Sequence, residues 1–360
     1  MRWIGVLMVV GVFVFGCSKK EKKKPAFHIE VVDESGNEGL YSGVDVGSDG
    51  VVQICYCEES AGVPPTVKLK FARRDPQTNT WQITLVDTSG TAGYYCRIAV
   101  DAQNRPHICY YDHANGDLKY AHYDGSSWKT EVVDSAGDVG AFCDIDTDAQ
   151  NRPHISYLDK TNGVLKHAYF DGASWQTESL GSYGTIEGQT NIHIDDAGTI
   201  HIVYWYAPDE LRRTWFDGTS WQTETIHSGS NVGEYNWLTS RNGILHVVFS
   251  DASGGGGTQL GHAVYYQGAW NPHIDDPVEG SGEGCAIAVR SDGSPHMVYY
   301  NTTYMQLRYY CHAGGSPRWQ AVDGDSNVGR NPAVAVGPDD TLHITYYDAG
   351  RGRLKYASRR

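Results

Sequence analysis

The stretch Ile98-Ala-Val-Asp-Ala-Gln-Asn-Arg-Pro-His107-Ile-Cys-Tyr-Tyr-Asp112 returns almost unchanged as Ile145-Asp-Thr-Asp-Ala-Gln-Asn-Arg-Pro-His154-Ile-Ser-Tyr-Leu-Asp159, a shift of 47 residues. The same frame recurs at Ile192 to His201, Trp237 to His246, Ile287 to His296 and Val334 to His343. A divergent first copy at Val44 to Gln53 makes seven units. A repeat of about 40 to 50 residues is the length of one four-stranded sheet in a radial array.

Each unit supports four short strands and needs no helix. In the second unit they run from Ile98 to Val100, His107 to Tyr111, Leu118 to Tyr123 and Trp128 to Val133, with turn-forming stretches at 101–106, 112–117, 124–127 and 134–140. Such strands bury their faces only by pairing, and seven sheets stacked around an axis do this without long exposed edges. The sequence therefore predicts an all-β fold, a seven-bladed β-propeller with four-stranded blades, over residues 27–360. The last unit stops at Leu354 to Ala357, short of a fourth strand. Phe27-His-Ile-Glu-Val-Val-Asp33 aligns with Trp128-Lys-Thr-Glu-Val-Val-Asp134, so the N-terminal strand is expected to complete the last blade.

Composition agrees. The 360 residues include 42 Gly, 24 Tyr and 10 Trp, and at 40% hydrophobic and 20% charged they can bury a large core. The formal net charge is -14, and the run Lys19 to Lys24 holds five Lys and one Glu, which leaves the rest of the chain more acidic still, so a nucleic-acid partner is not expected.

After Met1 and Arg2, Ile4 to Phe15 is an apolar run too short to span a bilayer comfortably, and it reads as an export signal. Val14-Phe15-Gly16-Cys17 resembles the bacterial lipoprotein processing box, in which cleavage precedes a cysteine that becomes lipid-modified. The resemblance implies a signal peptide over 1–16, lipidation at Cys17, and a lipid-anchored basic tether over 17–26. It also implies a place in the bacterial cell envelope, on the periplasmic or the outer-membrane and cell-surface side, with the membrane reached through the N-terminal lipid. Of the other seven cysteines, Cys109 shares a repeat position with Cys55, and Cys96 shares one with Cys143 and Cys285. They read as packing residues, with no metal and no cofactor expected.

The turns Asp124-Gly-Ser-Ser-Trp128, Asp171-Gly-Ala-Ser-Trp175 and Asp217-Gly-Thr-Ser-Trp221 resemble the Asp-box turn of the sialidase-like propellers. The resemblance implies the fold and a structural turn away from the binding face. It does not extend to sialidase activity, because the family's arginine triad and catalytic set are not found on this chain. Trp81, Trp270 and Trp319 read as the same blade position, packing between blades.

The recurring His107, His154, His201, His246, His296 and His343 are one to a blade, which favours a structural role beside each turn. The opposite face gathers the ends of the second strands, with Asp112, Asp159, Asp251 and Asp348, and the blade-joining loops, followed by Tyr41, Tyr95, Phe142 and Tyr235. Aromatic faces beside carboxylates suit sugar rings, while the same Asp and Gly residues would equally serve as turn formers. Unit four breaks the pattern with Trp205, Tyr206, Arg212 and Arg213, a set able to take an acidic sugar or carboxylate. Three readings follow: a non-catalytic propeller binding carbohydrate, a scaffold docking an envelope protein, and a polysaccharide-cleaving lyase or glycosidase. For the last, the non-repeat His113, His193, His227 and His312 with Tyr206 and Arg213 form a pool that no spacing unites, and no catalytic residue is assigned.

Overall fold

The computed structural model describes residues 26–60, 62, 65–184, 188–313 and 316–360; the leader and Cys17 lie outside them. Among the described residues every regular element is a strand, and the strands form seven four-stranded antiparallel sheets. The chain is a seven-bladed β-propeller. Blades one to six each use four consecutive strands, and we number them from the sheet that begins at Glu38. Blade seven takes Val328–Val336, Leu342–Asp348 and Arg353–Arg359, and His28–Asp33 pairs along its outer edge from His28 opposite Ser358 to Asp33 opposite Leu354. The ends of the chain close the ring, which removes the last unpaired edge.

Burial follows position in the blade. Second strands lie deep in the ring, and Pro106–Asp112 and Leu342–Asp348 are buried at every residue because a neighbouring blade covers each face. The outer strand Trp128–Asp134 is mostly exposed. Blades meet through an aromatic knob: Trp81 packs edge-on against Tyr356 at 5.2 Å, Trp128 against Phe71 at 4.9 Å and Trp175 against Tyr120 at 5.0 Å. Phe27 stands in for the tryptophan in blade seven and meets Tyr309 at 5.3 Å.

Trp319 does not share this position. In blade six the tryptophan comes two residues later along the fourth strand, so Pro317 pairs with His312 where Trp128 pairs with Tyr123. Trp319 is displaced to face Tyr310 across the ladder and is 53% exposed.

A second inter-blade device was not read from the sequence. The Tyr110 hydroxyl donates to Asp87 of the preceding blade at 2.8 Å, and Lys119 donates to the same carboxylate at 2.5 Å. The arrangement recurs as Tyr56 and Lys70 on Asp33, Tyr157 and Lys166 on Asp134, and Tyr346 and Lys355 on Asp323. Tyrosine follows its aspartate by 23 residues each time. Blade five loses the set together: Phe249 replaces the tyrosine, His227 the aspartate and Gly261 the lysine. A Cβ at Gly261 would lie 2.3 Å from the Phe249 ring, which fills the space that the lysine side chain leaves.

Candidate functional site

The first strand of blade two begins at Ala92, six residues before the hydrophobic run that marks it in the sequence. The extra length contains a bulge, with the register breaking between Tyr94 and Arg97. Equivalent breaks occur at 40–43, 141–144, 232–236, 283–286 and 330–333. A glycine enters the bulge where the blades approach closely: Gly140 has φ of 102°, and a Cβ there would lie 2.6 Å from Leu118. Two residues later the chain turns left-handed, with φ of 53° at Tyr41, 53° at Tyr95 and 54° at Phe142.

These bulges bring the side chains of several blades together around the axis. A cavity of about 270 Å³ opens there, lined by Tyr41, Tyr95, Phe142 and Tyr235 and by Arg97, Gln189, Glu234 and Asn331. Blades one to three make an aromatic wall: Tyr95 lies 4.3 Å from Phe142 and 4.8 Å from Tyr41, with Tyr94 and His113 extending it outward. Blades five to seven make a polar wall. Glu234 and Asn331 belong to it, and a shallow annex adds Glu283, Arg330 and Tyr300. Burial pushes the carboxyls of Glu234 and Glu283 above their ordinary range, so both are short of water.

Arg97 lines this cavity and also the wider one at the opposite end of the axis, about 540 Å³, and its guanidinium stands 5.3 Å from the Trp237 ring. The lower cavity is lined by Asp45, Asp144, Asp146 and His193 among others. A groove of about 830 Å³ runs between blades one and two beside Trp128.

The structure sorts the expected site residues. Tyr95, Phe142 and Tyr235 converge on the axis. The carboxylates of Asp112, Asp159, Asp251 and Asp348 do not reach the face as expected, because they are buried as acceptors inside their own turns. Asp112 accepts from Thr91 and Asn115, Asp159 from Asn162, Asp251 from Ser253, and Asp348 from Arg353.

Unit four also divides. Arg213 is 2% exposed, with its guanidinium among Trp215, Tyr265 and Trp270 and paired to Glu224 at 2.8 Å, so it is an inter-blade residue and not a face residue. Trp205 is likewise buried, its ring filling the space beside Gly188 and its indole N–H donating to the Pro208 carbonyl at 3.3 Å. Tyr206 and Arg212 remain partly exposed as a stacked pair, 3.4 Å from ring centre to guanidinium carbon.

The non-repeat histidines do not gather. His113 stands by Tyr94 and Tyr111 on the upper face, His193 by Asp146 in the lower cavity, His227 by Asp251, and His312 at the junction of blades five and six. The repeat histidines are structural: His107 bridges Asp101 and Tyr120, and His343 meets the Tyr356 hydroxyl at 2.6 Å.

No protein-family model and no curated protein matches the chain. Its structure is similar to that of the BP39L lectin from Burkholderia pseudomallei, at 12% identity and a TM-score of 0.63 over 86% of this chain and 96% of that one. The likeness is one of fold. SapL1 lectin, solved in complex with alpha methyl fucoside, aligns at 13% identity and a TM-score of 0.53 over 79% of this chain and 95% of that one. The NanB sialidase from Streptococcus pneumoniae aligns at 10% identity and a TM-score of 0.50 over 92% of this chain and 70% of that one.

Sequence reasoning singled out the aromatic residues but not Arg97, Gln189, Glu234 or Asn331. The available signal was position: Glu234 and Asn331 sit in the same Gly-x-x element of the repeat that carries Tyr95 and Phe142.

Proposed function

We propose that this chain is a non-catalytic carbohydrate-binding propeller, held to a bacterial cell envelope by a lipid on Cys17, which takes a sugar into the axial pocket. The backbone of the aromatic wall carries the proposal. A left-handed conformation costs a bulky residue roughly 1–2 kcal/mol. Blades six and seven make the same bulge with Gly284 at φ of 56° and Asn331 at 48°, residue types that tolerate it. The fold therefore does not need aromatics at 41, 95 and 142, and their presence is a matter of the pocket they build.

An aromatic wall facing a polar one matches a pyranose. The C–H face of the ring stacks on Tyr95 and Phe142, and the hydroxyls donate to Glu234 and exchange hydrogen bonds with Gln189 and Asn331. That two structures of the same fold are lectins is consistent with this reading. The run Lys19 to Lys24 after Cys17 gives the anchored chain a basic spacer next to anionic headgroups.

Affinity electrophoresis of the full-length protein in detergent, through gels cast with different polysaccharides, tests the binding. Retardation that disappears with Tyr95→Ala and Phe142→Ala is the expected result. Clearing of polymer around the band would replace it with the polysaccharide-cleaving reading, and no retardation in any gel would leave docking of an envelope protein in its place. Mass spectrometry of the N-terminal peptide reads the acyl group on Cys17 directly.

A further inference from the structure

Every junction from blade two to blade five is closed by the tryptophan of the later blade lying against the third strand of the earlier one, as Trp221 lies against His167 and Trp270 against Arg213. At the junction of blades four and five an acidic residue on the fourth strand backs the contact, Glu224 receiving the Trp270 indole N–H at 2.6 Å. At the junction of blades five and six each part of this arrangement is exchanged. Trp319 has moved out, and His312 occupies the ladder position opposite Pro317. His262 stands where Arg213 and His167 stand in their blades, and His273 pairs with it where Glu224 pairs with Arg213. Asp275 follows two residues along the same strand.

The exchanged residues converge. One ligand atom from each of His262, His273, Asp275 and His312 can be chosen so that all lie within 4.8 Å of one another. His312 Nε2 is 2.8 Å and His273 Nε2 3.3 Å from one Asp275 oxygen, and His262 Nδ1 is 3.4 Å from the other. A tetrahedral zinc ion with bonds of about 2.0–2.1 Å sets its ligand atoms about 3.3 Å apart. Two of the facing atoms, His262 Nδ1 and Asp275 Oδ2, are buried and have no hydrogen-bond partner, although native interiors rarely leave such atoms unmatched.

The surroundings suit a bound cation. His262 Nε2 is 3.2 Å from His246 Nδ1, which offers a partner for the ring proton when His262 Nδ1 turns its lone pair to an ion. The His273 and His312 side chains are 40% and 37% exposed, which leaves a path from solvent, while His262 and Asp275 form a dry floor. Three imidazoles and one carboxylate are a borderline-soft set of four, the complement of a closed zinc site, and unlike the all-oxygen shells of calcium or magnesium.

We propose that His262, His273, Asp275 and His312 bind one Zn²⁺ tetrahedrally, clamping blade five to blade six where the tryptophan knob is missing. The site is independent of the axial pocket. Two blades supply the ligands, so the ion ties the ring at that junction.

Full-length protein, stripped with a chelator and titrated with Zn²⁺, is expected to take up one equivalent with submicromolar affinity and to melt at a higher temperature when loaded. Co²⁺ in its place should give the intense visible bands of a tetrahedral ion. His273→Gln and His312→Gln should each weaken uptake by about 100-fold or more, and His193→Gln, at the lower end of the axis, should leave it intact. The His273 side chain is part-exposed on an outer strand, so its replacement keeps the test open even if the His312 variant folds poorly. Absence of stoichiometric uptake, an octahedral Co²⁺ spectrum, or equal uptake by the parent and His273→Gln would each overturn the assignment.

Discussion

The thiol of Cys96 donates a hydrogen bond, 3.1 Å long, to the backbone carbonyl of Tyr41 on the preceding blade. The same clasp joins Cys143 to Tyr95 at 3.4 Å, Thr190 to Phe142 at 3.0 Å, Asn236 to Gln189 at 3.1 Å and Cys285 to Tyr235 at 3.6 Å. The residue after each bulge thus holds the bulge of the blade before it, and the cysteines are part of the pocket's frame. Position alone had marked them as packing residues.

Cys96→Val, which keeps the volume and removes the donor, is expected to cost about 1 kcal/mol in chemical denaturation, while Cys96→Ser retains the bond and costs less. Burial pushes the thiols of Cys57, Cys96, Cys109 and Cys285 well above their ordinary range, and all seven described cysteines are free and buried. Native protein at neutral pH should therefore resist alkylation at these seven sites and react fully in urea. Rapid native labelling of Cys96 would contradict its place beneath Tyr41.

Tyr95→Asn separates binding from folding. Asparagine tolerates the left-handed backbone that Tyr95 holds at φ of 53°, which offsets the lost contacts with Tyr41 and Phe142. Stability should stay within about 1 kcal/mol of the parent, while polysaccharide retardation falls at least tenfold. A large loss of stability with binding retained would show that the aromatic serves the fold.

The tyrosine–aspartate–lysine latch sets the acid limb of stability. Burial raises the carboxyl of Asp87, but hydrogen bonds from Lys119, Ser89 and Tyr110 outweigh it, and the group lies below its ordinary range; Asp33, Asp134 and Asp323 behave alike. A lowered folded value gives stability that is present above the unfolded value, about 3.9, and lost as pH falls through the folded one. Thermal midpoints should therefore drop steeply below about pH 4. Asp87→Ala, which strands Lys119 and Tyr110, should cost about 3 kcal/mol at neutral pH, more than Tyr110→Phe.

Asp144 has the opposite sign. Burial at the lower end of the axis pushes its carboxyl up to about 7, against the attraction of Arg97 and a hydrogen bond from the Ile192 N–H. A raised folded value contributes stability below the unfolded value that is lost as pH rises toward 7. Asp144→Asn should therefore stabilise the protein at pH 8, by on the order of 2 kcal/mol, and have little effect at pH 4. The next blade already uses Asn191 at this place, where its side-chain oxygen accepts from the Leu238 N–H at 2.9 Å. Equal effects at both pH values would refute the buried charge.

Removing residues 27–33 takes away the fourth strand of blade seven, the Phe27 knob on Tyr309, and the Asp33 acceptor of Tyr56 and Lys70. The melting temperature of the shortened protein should fall by 10 °C or more, as closure of the whole ring is lost. An unchanged transition would mean that the ring closes without this strand.

The blades and their number can be read along the chain. A strand's pattern is local: alternation, turn residues and the 47-residue shift between His107 and His154 are properties of neighbours along the chain, and the unfilled fourth strand after Leu354 pointed to Phe27 by simple alignment. Tertiary structure alone decided which way each side chain faces once blades stack. Asp112 and Asp134 look equally polar in sequence, yet one caps its own turn and the other receives Tyr157 and Lys166 across a blade boundary. Arg213 reads as a ligand residue and is a buried inter-blade cation, because a third-strand side chain at that position faces the next blade. The bulge that aims Tyr95 at the axis, and the two-residue displacement of Trp319 that leaves His312 beside Asp275, change orientation without changing composition. No periodicity records them, since contacts between side chains more than thirty residues apart arise only when the blades pack.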